Sequence, residues 1–269
     1  PNLQSEAGAT PLYAAINLRW APKALYPQPR AHLQQKLSYL DFMEILLKNG
    51  ADPNTRLSKK IWYSGYNFDL SGVNENGATP FWRAAYGTDI PAMKLLVAHG
   101  ADPHVPTRVP EVEPTDGIGP REDIEDVSGL PPVPQGGPAV SPLLAAAGVG
   151  YGAGFAGNSH KHVRDGFMPT VKYLVEELGA DVVFRDHQGY NAIHHAATRG
   201  DSEMIEYLVS NGCDVSAVSR QGQTTADMAN GPVQRVQPWP EALALLEELG
   251  SKTVSYTHLR AHETLRYLV

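Results

Sequence analysis

One phrase recurs along this chain of 269 residues and constrains its fold more than any bulk property. A Ser, Thr or Asn, often followed by Pro, leads into small and apolar residues and an Ala pair, and an apolar stretch then closes on Gly-Ala-Asp. One clear copy runs Gly77-Ala78-Thr79-Pro80-Phe81-Trp82-Arg83-Ala84-Ala85 to Leu95-Leu96-Val97-Ala98-His99-Gly100-Ala101-Asp102. Another runs Asn191-Ala192-Ile193-His194-His195-Ala196-Ala197 to Leu208-Val209-Ser210-Asn211-Gly212-Cys213-Asp214. Thr79 to Gly100 and Asn191 to Gly212 both span 21 residues, a coincidence that chance would rarely give twice.

Three further copies keep both halves of the phrase. Thr10-Pro11-Leu12-Tyr13-Ala14-Ala15 pairs with Leu46-Leu47-Lys48-Asn49-Gly50-Ala51-Asp52, and Ser141-Pro142-Leu143-Leu144-Ala145-Ala146 pairs with Leu174-Val175-Glu176-Glu177-Leu178-Gly179-Ala180-Asp181. Thr224-Thr225-Ala226-Asp227-Met228-Ala229 pairs with Leu245-Leu246-Glu247-Glu248-Leu249-Gly250 and lacks the closing Ala-Asp, as a worn terminal copy would. Each recurring position has a local reason. Thr10, Thr79, Ser141 and Asn191 suit helix N-caps, with Pro11, Pro80 and Pro142 at the first helical position, where no donor is lost. Ala pairs let neighbouring helices approach, and Leu, Ile, Val and Met on a second helix fill the layer between copies. Gly50, Gly100, Gly179, Gly212 and Gly250 stand where a left-handed residue ends that second helix.

These residues resemble the ankyrin repeat, including its Thr-Pro-Leu-His-x-Ala phrase and terminal Gly-Ala-Asp, and the long inserts suggest bacterial-type members of that family. The resemblance implies an all-α solenoid of stacked helix-turn-helix units with β-turn fingers. One unit cannot bury its apolar face alone, so the core is shared between neighbours. The expected ankyrin-repeat domain covers 1–253, with repeats at 7–54, 75–104, 138–184, 186–216 and 219–250. Inserts at 17–41 and 148–169 join first to second helices, whereas 55–76 and 105–140 fall where the family makes its fingers. The segment 254–269 looks like a translated adapter sequence, non-native or disordered; its rival reading is an amphipathic helix covering the last repeat.

The 105–140 insert holds eight prolines, seven acidic residues and two arginines, and carries −5 of the formal net charge of −7. It reads either as a solvated acidic loop or as a gripping loop for a basic ligand. The acidic balance argues against nucleic acid and anionic membranes as partners. A single Cys213 excludes an internal disulfide, and no run of roughly 18 apolar residues is present for a membrane span. The chain opens on Pro1 instead of Met, which points to a fragment or processed start. The compartment is unknown: cytoplasmic by default, periplasmic or secreted had a signal peptide been lost.

No catalytic constellation is legible. Gly152-Ala153-Gly154-Phe155-Ala156-Gly157 matches a dinucleotide-binding phrase but follows a helix and joins no strand. His160, His162 and Asp165 invite a metal, yet a zinc site needs three or four convergent ligands. His194 occupies the family's histidine position, which the resemblance makes structural. The expected sites are therefore catalytic none, cofactor none and metal none.

Carrying over the family's finger and inner-helix contacts nominates Asn74, Glu75, Asn76, Trp82, Arg83, Tyr86, His187, Gln188, Tyr190, His195, Arg199, Arg220, Gln221 and Gln223 as partner-binding. The competing reading packs Trp82 or Tyr190 between fingers. The expected function is a monomeric, non-catalytic scaffold for a protein partner. The alternatives are a regulatory or substrate-recruiting arm of a larger enzyme and, more remotely, a metal- or nucleotide-dependent catalyst built on 148–169.

Overall fold

The structure is a computed structural model; it describes residues 1–20, 35–61, 72–110, 126–153, 160–231 and 237–254. The chain runs through α1 (Pro11–Trp20), α2 (Tyr39–Lys48), α3 (Pro80–Tyr86), α4 (Ile90–Ala98) and α5 (Pro142–Ala147). It continues through α6 (Phe167–Lys172, prolonged by a π-helical turn Tyr173–Glu177), α7 (Ala192–Ala197), α8 (Ser202–Ser210), α9 (Thr225–Ala229) and α10 (Pro240–Glu248). Odd-numbered helices form one row, in which α1 packs on α3, α3 on α5, α5 on α7 and α7 on α9. Each even-numbered helix packs against its predecessor as the second limb of a hairpin. Among the described residues the β structure consists of two isolated bridges, Arg108 to Pro138 and Val218 to Thr224. The chain is thus an all-α solenoid. No described helix is long and apolar enough to cross a membrane.

The recurring cap explains where the inner row begins. Thr10, Thr79, Ser141, Asn191 and Thr224 each accept the backbone N–H three residues on, at 3.0 to 3.3 Å. A second cap starts outer helices: Asp89 and Asp201 accept from Ala92 and Met204 at 3.1 Å. Asp89 also accepts from the Trp20 indole at 2.8 Å and the Tyr39 hydroxyl at 2.7 Å, tying the first hairpin to the second.

The interior is continuous. Every residue of α3, α5, α7 and α9 is buried: α3, α5 and α7 each lie between two neighbours of their own row and their hairpin partner, and α9 lies between α7, α10 and the segment around Ser251. Trp82 is fully buried, donates its indole N–H to the Val140 carbonyl at 2.9 Å, and stacks on Tyr86. Burial on this scale drives the stack, since a fully buried aromatic side chain contributes on the order of 2–3 kcal/mol by transfer alone.

The third hairpin departs from the pattern. At the other outer-helix ends the residue after Gly bonds back five residues: Ala51 to Leu46, Ala101 to Leu96, Cys213 to Leu208 and Ser251 to Leu246. In the third copy Ala180 reaches Leu174, one residue farther. The extra residue between Leu174 and Gly179 is absorbed by the π-helical turn, which keeps both the buried Leu and the closing Gly in register.

Trp82→Ala should cost about 3–5 kcal/mol in chemical denaturation, because it removes both the packing and the link to Val140. A loss under about 1 kcal/mol would mean that the second and third hairpins do not share this layer.

Candidate partner-binding surface

The turns preceding the inner helices are linked by backbone hydrogen bonds into a ladder. Ser58 donates to Ala7, Leu57 to Ala78, Gly77 to Leu57, Arg108 to Asn76, and Arg220 to Gln188, at 2.7 to 3.0 Å. Two arginines secure these turns. Arg56 donates through Nε to Gly77 O at 2.8 Å and through Nη2 to Pro106 O, whereas Arg185 donates to Gly189 O and to Val218 O. Each guanidinium thus holds the glycine carbonyl of one finger and a carbonyl leading into the next. Both lie four residues after the Asp of a Gly-Ala-Asp phrase, at Asp52 and Asp181, a periodicity that the sequence carries openly.

Within the fourth finger Asp186 is buried and its Oδ1 accepts from the backbone N–H groups of Gln188 and Tyr190 at 2.9 and 2.8 Å. The Tyr190 hydroxyl donates to Gln223 Oε1, joining the fourth and fifth fingers. His194 sits beneath them: Asn191 N–H donates to its Nδ1, which leaves Nε2 to donate to Gln223 O at 3.3 Å. These bonds fix the finger backbones and leave the side chains of Asn74, Asn76, His187, Gln188, Tyr190, Arg220, Gln221 and Gln223 half-buried along the ladder.

The other nominated residues are placed differently, and this corrects the expected surface. Glu75, Trp82, Arg83 and Tyr86 are at most 1% exposed and His195 is 4% exposed, so none presents side-chain surface to a partner. The inner helices are sandwiched so closely that the side expected to be free is occupied. Glu75 accepts from Ile61 N–H at 2.6 Å, and Arg83 donates to Asn17 Oδ1 at 2.9 Å. Arg199 lies at the opposite end of α7 from Tyr190, pairs with Asp201, and stacks on Phe167 with its guanidinium 3.6 Å from the ring centroid. It braces the turn between helices and belongs to no finger.

The metal candidates also have structural surroundings. His160 is buried, stacks on Tyr86 at 4.0 Å between centroids and engages Tyr86 O through Nε2, which fastens the segment before α6 onto α3. Among the described residues no group of three or more His, Cys, Asp or Glu is arranged to hold a metal. Of the glycine phrase, Gly154 to Gly157 lie outside the described residues, as does 255–269 of the suspected tail.

With the ladder in view, the comparisons are decisive on one point. Residues 159–229 match the model for ankyrin repeats (3 copies). Residues 159–229 are ankyrin repeats. Protein phosphatase 1 regulatory subunit 12A of Mus musculus is 33% identical over 93 residues, covering 35% of this chain and 8% of the relative. Protein phosphatase 1 regulatory subunit 27 of Homo sapiens is 35% identical over 69 residues, covering 26% of this chain and 44% of the relative. Alpha-latrocrustotoxin-Lt1a of Latrodectus tredecimguttatus is 24% identical over 152 residues, 56% of this chain and 8% of the toxin. The likeness therefore covers ankyrin repeats and less than half the length of each of these relatives. All three are animal proteins and lend no support to a bacterial affinity.

Buried ionisable groups under the fingers give the ankyrin stack a defined acid response. Burial lowers His194 and His195 to about 3 and raises Asp186 to about 6. Burial also holds His160 well below the usual histidine range. On unfolding, the imidazoles return to about 6.5 and take up protons that the folded chain lacks, so stability falls as pH drops below that value. Asp186 opposes this between its ordinary value of 3.8 and about 6, where only the folded chain holds its proton. The histidines outnumber the carboxylate, so stability should decline by at least about 1.4 kcal/mol per pH unit between roughly pH 6 and pH 4. Denaturant midpoints across that range check it, and His195→Gln should reduce the slope; a midpoint that rises toward pH 4 would reverse the assignment.

Proposed function

We propose that this ankyrin-repeat chain is a non-catalytic scaffold that binds a protein partner through its finger turns and the adjoining groove, as a monomer and without a cofactor. The observation that carries the reading is the contrast along the fingers. Their backbones are fixed by the Arg56 and Arg185 bridges and by Asp186, while amide, imidazole and guanidinium groups remain half-buried at their tips. Polar groups held in place before association cost little ordering entropy, which favours recognition over chemistry. The chain's acidic balance turns it from nucleic acid, whose phosphates select basic surfaces.

A second reading is that these repeats form the regulatory or substrate-recruiting arm of a larger enzyme. Two relatives named as phosphatase regulatory subunits favour it. Both readings use the same surface and differ in whether the repeats act as a scaffold alone or serve the catalytic part of a larger enzyme.

Gln188→Ala combined with Gln221→Ala should weaken the capture of specific partners by about tenfold or more, the combined effect of losing two interfacial hydrogen bonds. Glu203→Ala with Glu206→Ala, on the exposed side of α8, should leave capture unchanged. Quantitative mass spectrometry of matched pull-downs, on variants of equal helicity, reads the difference. Identical captured sets from both pairs would remove the fingers as the binding surface.

A further inference from the structure

The 105–140 insert does not project freely from the third finger. Its base is pinned by Thr107 N–H to Val140 O, Ala139 N–H to Thr107 O and Val109 N–H to Gly137 O, each at 2.9 Å. Its returning limb then reaches the fifth finger, about ninety residues away along the chain. There Arg220 meets it with a single guanidinium: Nη1 bonds the Asp126 carboxylate and, at 3.2 Å, Leu130 O, and Nη2 donates to Pro131 O at 2.6 Å. Arg220 Nε meanwhile donates to His187 O at 2.8 Å, so the fork is aimed by the fourth finger. The Val127 side chain stands over Gly222, where a Cβ would lie 3.5 Å from a Val127 methyl, in ordinary contact. Asp126 also accepts from the Ser128 N–H and hydroxyl, forming a tight turn before Gly129, which takes a φ of +67°. The stretch from Leu130 to Pro134 forms no helix or strand, and its three prolines favour extended polyproline backbone.

This is the chemistry of peptide recognition. A carboxylate and two carbonyls of an extended, proline-containing segment are read by one oriented arginine.

We infer that the fifth-finger surface around Arg220 is a binding site for an extended peptide bearing a carboxylate followed five to six residues later by a proline pair, and that residues 126–134 occupy it in cis as an internal ligand. A partner with such a segment must displace the strap, so recognition is self-occluded in the resting chain. The returning limb of the insert therefore holds one of the chain's own fingers, where the sequence offered a solvated acidic loop or a grip on a basic ligand. The inference rests on the fingers being a partner surface and specifies which partner chemistry one of them takes.

The test uses the full chain and a fluorescent synthetic peptide of residues 126–136. Two variants open the site: 126–134 replaced by a Gly/Ser linker of equal length, and the milder Asp126→Ala with Val127→Ser, which keeps Val133 packed on the core. The peptide should bind both opened variants at least about tenfold more tightly than the parent, whose strap competes at the near-millimolar effective concentration of a short tether. Adding Arg220→Ala to either opened variant should abolish binding, and replacing the peptide's Asp by Asn should weaken it by about tenfold. No saturable binding to opened variants up to about 1 mM peptide would overturn the inference. So would equal binding to parent and opened chains, or binding that survives Arg220→Ala. Should the peptide fail while Gln188→Ala with Gln221→Ala still diminishes capture, only the peptide chemistry falls and the scaffold reading stands.

Discussion

The structure depends on one constraint: an inner helix of five to seven residues cannot exist alone and is held by burial on several sides at once. The helices Pro80–Tyr86, Pro142–Ala147, Ala192–Ala197 and Thr225–Ala229 are far shorter than an isolated helix needs in water. Each is fixed at its start by a side-chain cap and then enclosed by the preceding hairpin, its own second limb and, for the first three, the following hairpin. Small Ala pairs set the spacing, and Trp82, Phe81 and Leu144 fill what the alanines leave open. A finger is the exposed end of this packing, so its order is borrowed from the interior beneath it.

That dependence explains how polar groups are distributed. Charges placed near the inner row are paired or neutral: Arg83 with Asn17, Arg199 with Asp201 and the face of Phe167, His194 with the backbone of the next finger. Arginines at the fingers act differently. Arg56 and Arg185 spend their donors on backbone carbonyls and stiffen the ladder, whereas Arg220 divides its donors between a neighbouring finger and a returning strap. Stiff backbones and one occupied arginine fork together make a surface suited to selecting an extended segment.

Much of the fold was legible because its signals are local. Caps at Thr79 and Asn191 and left-handed glycines at Gly100 and Gly212 are decided by a few adjacent residues, and the structure uses them as the sequence suggests. The candidate surface was legible only in part, because exposure is decided by elements far away in sequence. Trp82 and Tyr86 look like contact residues until Val140 and His160 arrive from 58 and 74 residues downstream to cover them. Arg199 was misplaced for the same reason, since Phe167 lies outside its own repeat. Two signals were open to reading and were missed: the arginine four residues after Gly-Ala-Asp, and the extra residue that forces a π-helical turn in the third copy. The destination of the acidic strap was not readable, since nothing near Asp126 in sequence points to Arg220.

The most direct test of a shared interior is hydrogen exchange measured helix by helix on the parent chain and on Ile193→Ala, which truncates a fully buried side chain in α7. If neighbouring hairpins complete one another, exchange should accelerate in α5 and α9 as well as in α7 and α8. Acceleration confined to 191–210 would show hairpins that stand independently and would contradict the account.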